Sequence, residues 1–147
     1  MSREATSGIL RFDQDCICYQ LPNGGWRLPV SEIKIIGEYT DDQGPLVDDY
    51  FLVFLTDSNL YEASIYAEGV DAFLQELRDR LGASLSLELG NSTSYRSRVI
   101  WPSDMVEVPV FDYSKTPKPK GLLDRLKYRF FPDIHRKLSH AVWQRLK

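Results

Sequence analysis

Two cysteines are the first residues in this chain whose types and spacing could do chemistry. Cys16 and Cys18 flank Ile17 in a run that alternates like a β-strand, so both thiols point to the same face. Such neighbours rarely reach disulfide geometry, which needs Cβ atoms about 4 Å apart. A zinc site needs two more ligands, and the only histidines are His135 and His140, far along the chain. We therefore interpret the cysteines as small buried hydrophobic side chains and predict no metal site.

No motif of a common catalytic site is present in the sequence. The nucleophile elbow, the P-loop, the dinucleotide-binding glycine pattern and the zinc-protease histidine motif are all missing. Histidine is the usual acid-base group near neutral pH, and both histidines lie in a basic segment where solvated side chains are expected. The paired acids at 41–42 and 48–49 lack the spacing of a calcium loop. We expect no enzyme and no cofactor; an enzyme of unfamiliar type is the second alternative.

Charge divides the chain into two segments. Residues 1–113 hold 8 Lys and Arg against 19 Asp and Glu, which gives a net charge of −11. Residues 114–147 hold 10 against 2, which gives +8, and the two values sum to the −3 of the whole chain. Such asymmetry is typical of an interaction tail. Because the acidic body repels phosphate, nucleic acid is an unfavourable partner, and we interpret the aromatic side chains as core and cross-strand packing.

The elements that must position these residues begin with strands. Between residues 9 and 66, short apolar runs alternate and are separated by turn residues, which predicts five or six antiparallel strands in a meander. The dipeptide Asn23-Gly24 predicts a tight hairpin within that region. The run from 50 to 56 is apolar throughout, so we expect a central strand that is covered on both faces.

One amphipathic helix is expected to follow the strands. Apolar side chains recur every three or four residues from Val70 to Leu81, and Gly82 stands where a helix cap belongs, which predicts a helix at about 69–82. Alternation at 85–89, 99–101 and 106–110 predicts further short strands. The expected fold class is α+β: mainly an antiparallel β meander or open barrel closed by this helix, then further short strands and a basic helical C-terminal tail.

The tail is expected to consist of a linker and two helical patterns. Lysine and proline dominate residues 115–120 and predict an extended linker. Apolar rows at 121–131 and 134–146 predict helices, with Asp133 as the cap of the second. The candidate interaction residues lie on these two patterns: Leu122, Arg125, Leu126, Arg129, Phe130, Lys137, Leu138 and Val142. Exposed apolar rows need a partner, so we expect the tail to dock on protein, in cis or in a dimer.

Part of the sequence resembles a bacterial pleckstrin-homology-like domain. The run from Trp26 to Ile33 leads into a strand, and Tyr50 to Leu55, a hairpin and a helix containing Phe73 to Leu77 follow. The resemblance covers residues 8–82 and implies an open barrel closed by one helix, and a binding module rather than an enzyme. Lipid-binding members keep a basic cluster between their first two strands, where this chain has Asp13-Gln14-Asp15. No ligand residue is therefore carried over, and no small-molecule ligand is expected.

These observations predict a non-enzymatic interaction module with an acidic body over 1–113 and a basic tail over 114–147. A protein partner or self-association is expected, and a peripheral membrane protein held on anionic lipid through residues 121–147 is the alternative. The first seven residues are polar, and the chain has no apolar run long enough to span a bilayer. We therefore expect a cytoplasmic location.

Overall fold

The computed structural model describes residues 7–41, 48–90, 95–115 and 134–146. The Lys-Pro linker beyond Lys115 and the helical pattern at 121–131 lie outside these ranges. The described strands are β1 (Ile9–Asp13), β2 (Cys16–Leu21), β3 (Gly24–Pro29), β4 (Ile35–Thr40), β5 (Tyr50–Leu55), β6 (Leu60–Ser64), β7 (Arg96–Trp101), β8 (Phe111–Lys115) and β9 (Ile134–Leu138). The described α-helices are α1 (Val70–Leu81) and α2 (His140–Leu146), and short 3-10 helices occupy Val30–Glu32 and Ser103–Met105.

The strands form three antiparallel sheets. The first has the order β1-β2-β3, the second β6-β5-β4-β7, and the third consists of β8 and β9. Six strands, β1 to β6, lie between residues 9 and 66, where five or six were predicted, and the α+β class with antiparallel sheets is confirmed. Strand β7 departs from a simple meander because it returns beside β4 after helix α1.

The first two sheets remain separate, and Trp26 of β3 contacts Tyr61 and Glu62 of β6. At this corner the indole N–H of Trp26 donates a hydrogen bond of 2.9 Å to the backbone carbonyl of Glu62. A side chain thus makes the contact that a ladder of backbone hydrogen bonds would make in a closed barrel. Within the described residues the sheets form no closed barrel.

Strand β5 is covered on both faces, as predicted. Leu52 and Phe54 belong to a first core, which also contains the inner side chains of the first sheet and helix α1. Val53 and Leu55 point the other way, into a second core. The second sheet is therefore the middle layer of a three-layer molecule.

Helix α1 closes the first core at the predicted place. Phe73 stacks on Phe12 with ring centroids 4.9 Å apart and meets Phe54 edge-on at 6.1 Å. Leu77 is fully buried in the same core. The helix ends at Gly82, whose φ of 59° is the left-handed conformation that glycine adopts without strain.

The last described segment covers the second core. Val142 of helix α2 is fully buried beside Val53 and Val99 of the middle sheet. Ser139, which precedes the helix, donates its hydroxyl to the carbonyl of Pro109 at 2.6 Å. Residues 134–146 thus pack on the body of their own chain.

The helix predicted from Ile134 is wrong over its first five residues. Strand β9 occupies Ile134–Leu138 and pairs with β8. Helix α2 begins only after Ser139, whose hydroxyl oxygen accepts a hydrogen bond of 3.3 Å from the amide of Val142 and so acts as the N-cap. A continuous helix and the observed strand followed by a helix both place Leu138 and Val142 on one side. The apolar spacing alone therefore does not distinguish the two structures.

Two further strand predictions, at 85–89 and 106–110, are also wrong, whereas residues 99–101 do lie in β7. The first segment is irregular because the amides of Glu88 and Leu89 bond to the carboxylate of Glu38 instead of to a neighbouring strand. The second segment turns at Glu107, which has a φ of 78°. Both segments still bury apolar side chains, among them Leu89 and Val110, which explains their alternation.

Candidate functional site

An apolar groove lies between the β5–β6 turn and helix α2. Its volume is about 290 Å³. Leu55 and Leu138 are buried or half-buried in it, whereas Leu60 and Trp143 are 36% and 53% exposed. The residues that line the groove are Leu55, Thr56, Asp57, Ser58, Asn59, Leu60, Leu138, Trp143 and Leu146. This apolar groove is the strongest candidate for a binding site among the described residues.

The turn that forms one wall of the apolar groove is held by its own hydrogen bonds. The amide of Thr56 donates to the carbonyl of Asn59 at 3.0 Å. The hydroxyl oxygen of Thr56 accepts a hydrogen bond of 3.0 Å from the amide of Asn59 and a longer one, 3.4 Å, from that of Ser58. These bonds occupy the polar groups of the turn and leave the side chain of Asp57 exposed at its tip.

Helix α2 forms the other wall of the apolar groove, and its consecutive residues Val142 and Trp143 face different ways. Val142 faces inward and anchors the helix in the second core, so Trp143 faces the groove and solvent. Arg145 pairs with Asp104 at 2.7 Å and ties the end of the helix to the body. The hydrogen bond from Arg145 lowers the pKa of the Asp104 carboxyl below its ordinary value of 3.8. The pair therefore supports docking of the helix above that pH and weakens in acid.

A polar cleft lies on the opposite side of the same turn. Its volume is about 430 Å³, and Ser31, Glu32 and Lys34 line it together with the turn residues 56–59. Asp57 borders both the apolar groove and the polar cleft. Within the described ranges, no ion pair neutralises Asp57. A ligand seated in the groove would thus meet a carboxylate at its edge.

The candidate interaction residues named from the sequence have different positions. Leu138 lines the apolar groove, and Lys137 is exposed on β9 opposite Asp112. Val142 is buried in the core of its own chain and is not accessible to a partner. The other five lie outside the described residues: Leu122, Arg125, Leu126, Arg129 and Phe130.

Trp143 and Leu60 are not among the interaction residues predicted from the sequence. Trp143 stands off the apolar row of the tail and next to a buried position, a signal that could have marked it as an exposed aromatic side chain. Leu60 follows the turn, and the alternation of its segment predicts only an ordinary strand residue. Trp143 and Leu60 are 83 positions apart in the chain. They lie close together only because helix α2 contacts the β5–β6 turn.

A buried ion pair connects the middle sheet to the segment that follows helix α1. Glu38 and Arg98 are 0% and 5% exposed, and their side chains are in direct contact. The Glu38 carboxylate also accepts hydrogen bonds from the hydroxyl of Tyr50 and from the amides of Glu88 and Leu89. Burial and the bond to Glu38 raise the pKa of the Tyr50 hydroxyl well above its ordinary value of 10.0.

The guanidinium of Arg98 is similarly saturated. It donates to the carbonyl of Ser86 at 2.6 Å and to the carboxylate of Glu107 at 2.7 Å, in addition to Glu38. Buried groups that bond in this way to one another and to the backbone hold structure in place. We therefore assign the Glu38–Arg98 pair a structural role.

The two cysteines lie on the outer face of the first sheet and are partly exposed, so the expectation that they are buried is wrong. The alternation of β2 turns Ile17 and Tyr19 inward and leaves the cysteines on the opposite face. Among the described residues, no group of three or more His, Cys, Asp or Glu side chains could hold a metal ion. Neither described helix is long and apolar enough to cross a membrane.

Comparison with known proteins identifies no relative of this chain. No family model, no curated protein and no solved structure matches it.

Proposed function

We propose that this protein is a non-enzymatic interaction module that binds a segment of a partner protein in the apolar groove. The observation that carries the proposal is the exposed indole of Trp143 beside Leu60 on a preformed groove. Tryptophan is enriched among the residues that dominate binding energy at protein interfaces. The resemblance to pleckstrin-homology-like domains supports a binding role, and we place the protein in the cytoplasm as part of the same proposal.

The proposed occupant is a short peptide segment with one large apolar side chain next to a basic residue. The groove volume of about 290 Å³ lies at the lower end of the range of small-molecule pockets, so it suits one or two side chains. Leu55, Leu60 and Leu138 offer the apolar side chain a contact surface. Asp57 at the rim is the counter-charge for the basic residue, and the acidic body strengthens that preference.

Selection of peptides from a random displayed library tests the proposal. We expect enriched peptides to combine a large apolar residue with Lys or Arg. Trp143→Ala should weaken their binding at least tenfold because it removes the largest exposed apolar surface of the groove, and Asp57→Asn should weaken it severalfold. Gln144→Ala, one position away and also exposed, is the matched control and should bind normally.

The proposal is overturned if no peptide is enriched, or if the selected peptides bind the Trp143→Ala protein as tightly as the original. Melting temperatures of all variants should be measured first. Because Trp143 is about half exposed, its replacement by alanine is expected to leave the fold intact.

Attachment to an anionic membrane is the second candidate function. It is supported by the charge of +8 over residues 114–147 and by the exposure of Trp143, since Trp and basic side chains favour the membrane interface. Co-sedimentation with phosphatidylserine vesicles distinguishes the two. Strong binding that falls with added salt, and falls again with Trp143→Ala, would favour the membrane over the peptide segment.

A further inference from the structure

We propose that Cys16 and Cys18 form a two-coordinate site for a soft monovalent metal ion of the Cu(I) type. The inference uses the outer face of the first sheet and does not depend on the apolar groove or on its partner. The two thiols are both partly exposed there, so an ion can reach them from solvent.

The positions of the two cysteines are fixed by the strand that carries them. Strand β2 is the central strand of the first sheet and is paired with β1 on one side and β3 on the other. Ile17, between the cysteines, is fully buried on the opposite face and keeps the strand from rotating. The thiols are therefore presented together on one rigid surface before any ligand binds, which lowers the ordering cost of binding.

The spacing of the pair suits a bridging ion and not a disulfide. Two positions along a strand span about 6.7 Å between Cα atoms, and side chains on one face run nearly parallel. A disulfide needs Cβ atoms about 3.5–4.5 Å apart, so it would require the strand to distort. Two metal–sulfur bonds of about 2.3 Å each span about 4.6 Å between the sulfurs, so rotation about χ1 must tilt the two side chains toward each other to hold one ion.

Two arginines lie opposite Cys18 on the neighbouring strands, Arg11 on β1 and Arg27 on β3. One guanidinium nitrogen of Arg27 lies 3.2 Å from the Cys18 sulfur, and Arg11 stands opposite Cys18 in the register of β1. A monovalent ion held by two thiolates has a net charge of −1, which Arg11 offsets, because the charge of Arg27 is already paired with Asp13, the residue opposite Cys16. Arg27 also contacts Asp13 at 2.7 Å, which holds its guanidinium over this face.

The ligand set selects against zinc. Structural zinc is bound by four ligands, and the described residues offer no group of three. Thiolate sulfur is a soft ligand that selects Cu(I). On binding, two S–H protons are released to solvent, two sulfur–copper bonds form, and copper keeps its oxidation state.

Titration of the full chain with Cu(I) alone, without oxygen and in competition with a chromogenic chelator, tests the site. We expect one ion per chain. Cys16→Ser and Cys18→Ser should each weaken binding at least a hundredfold, because each removes one of two ligands. Arg27→Gln should weaken it about tenfold, as the loss of a residue that supports a metal ligand does. Zn²⁺ added in place of Cu(I) should not bind stoichiometrically.

Three results would overturn the proposal. These are Cu(I) binding no tighter than that of the double serine variant, full retention of binding after the loss of either cysteine alone, or one ion per two chains. Circular dichroism of each variant shows whether the fold is retained. Ser31→Ala, a substitution in the polar cleft, is the control and should leave Cu(I) binding unchanged.

Discussion

At the scale of single residues, the Glu38–Arg98 pair places two charged side chains in the interior. The fully buried carboxylate of Glu38 would be strongly unfavourable if it had no hydrogen-bond or charge partner. Its hydrogen bonds to Tyr50, Glu88 and Leu89 and its contact with Arg98 compensate for the lost water. This role is not evident from the sequence, because Glu38 lies in an alternating run where an acidic residue is expected to face solvent.

Glu38→Gln is expected to lower the free energy of unfolding by about 3–5 kcal/mol, because it removes the buried carboxylate beside the Arg98 guanidinium and leaves that cation with the exposed carboxylates of Glu88 and Glu107. Urea denaturation measures the loss. Glu107→Gln is the matched control, since its side chain is 62% exposed and contacts the same guanidinium. That substitution should cost less than about 1 kcal/mol. Equal losses in the two variants would contradict the assigned role of Glu38.

At the scale of elements, helix α1 agrees most closely with its prediction, since it spans Val70–Leu81 where a helix at about 69–82 was expected. Leu77→Ala is expected to lower the free energy of unfolding by about 2–5 kcal/mol, because the side chain is fully buried in the first core. Gln75→Ala on the exposed side of the helix should change it by less than about 0.5 kcal/mol. A loss below about 0.5 kcal/mol for Leu77→Ala would show that the helix is peripheral.

Secondary-structure elements were predicted correctly where the local apolar pattern is sufficient to determine them. Helix α1 has a complete apolar face and a glycine cap, and β5 is apolar throughout, so local pattern and tertiary environment agree. Strand β9 was not predicted because apolar side chains four apart fit a helix equally well. Its conformation depends on pairing with β8, which lies far away in sequence, and on the cap at Ser139.

The candidate site was less predictable than the fold, because it too depends on contacts between segments that are far apart in sequence. Lys137 and Leu138 were named from the sequence, and Leu138 does line the apolar groove. The groove itself is made where helix α2 meets the β5–β6 turn, and that contact follows from tertiary packing. No periodicity within either segment indicates that Trp143 and Leu60 share a surface.

At the scale of the whole molecule, apolar contact and charge both hold the described C-terminal segment on the body. Residues 134–146 contain three Arg and Lys and no acidic residue, so they carry a net charge of +3. The exposed pair between Arg145 and Asp104 contributes little, since exposed pairs are well solvated. Complete burial of Val142 stabilises more, about 1.5–3 kcal/mol. We infer that the apolar face of the middle sheet is the main reason for docking.

A chain that ends at Lys115 lacks β9 and α2 and should show what this docking contributes. Its middle sheet would expose Val53, Leu55 and Val99, so we expect self-association and a loss of stability on the order of 3 kcal/mol. A synthetic peptide of residues 134–147, added in excess, should raise the melting temperature again by mass action. The same peptide with Val142→Asp is the control and should fail, because it cannot enter the second core. If the shortened chain stays monomeric and melts at the temperature of the full chain, the C-terminal segment does not form part of the folded body.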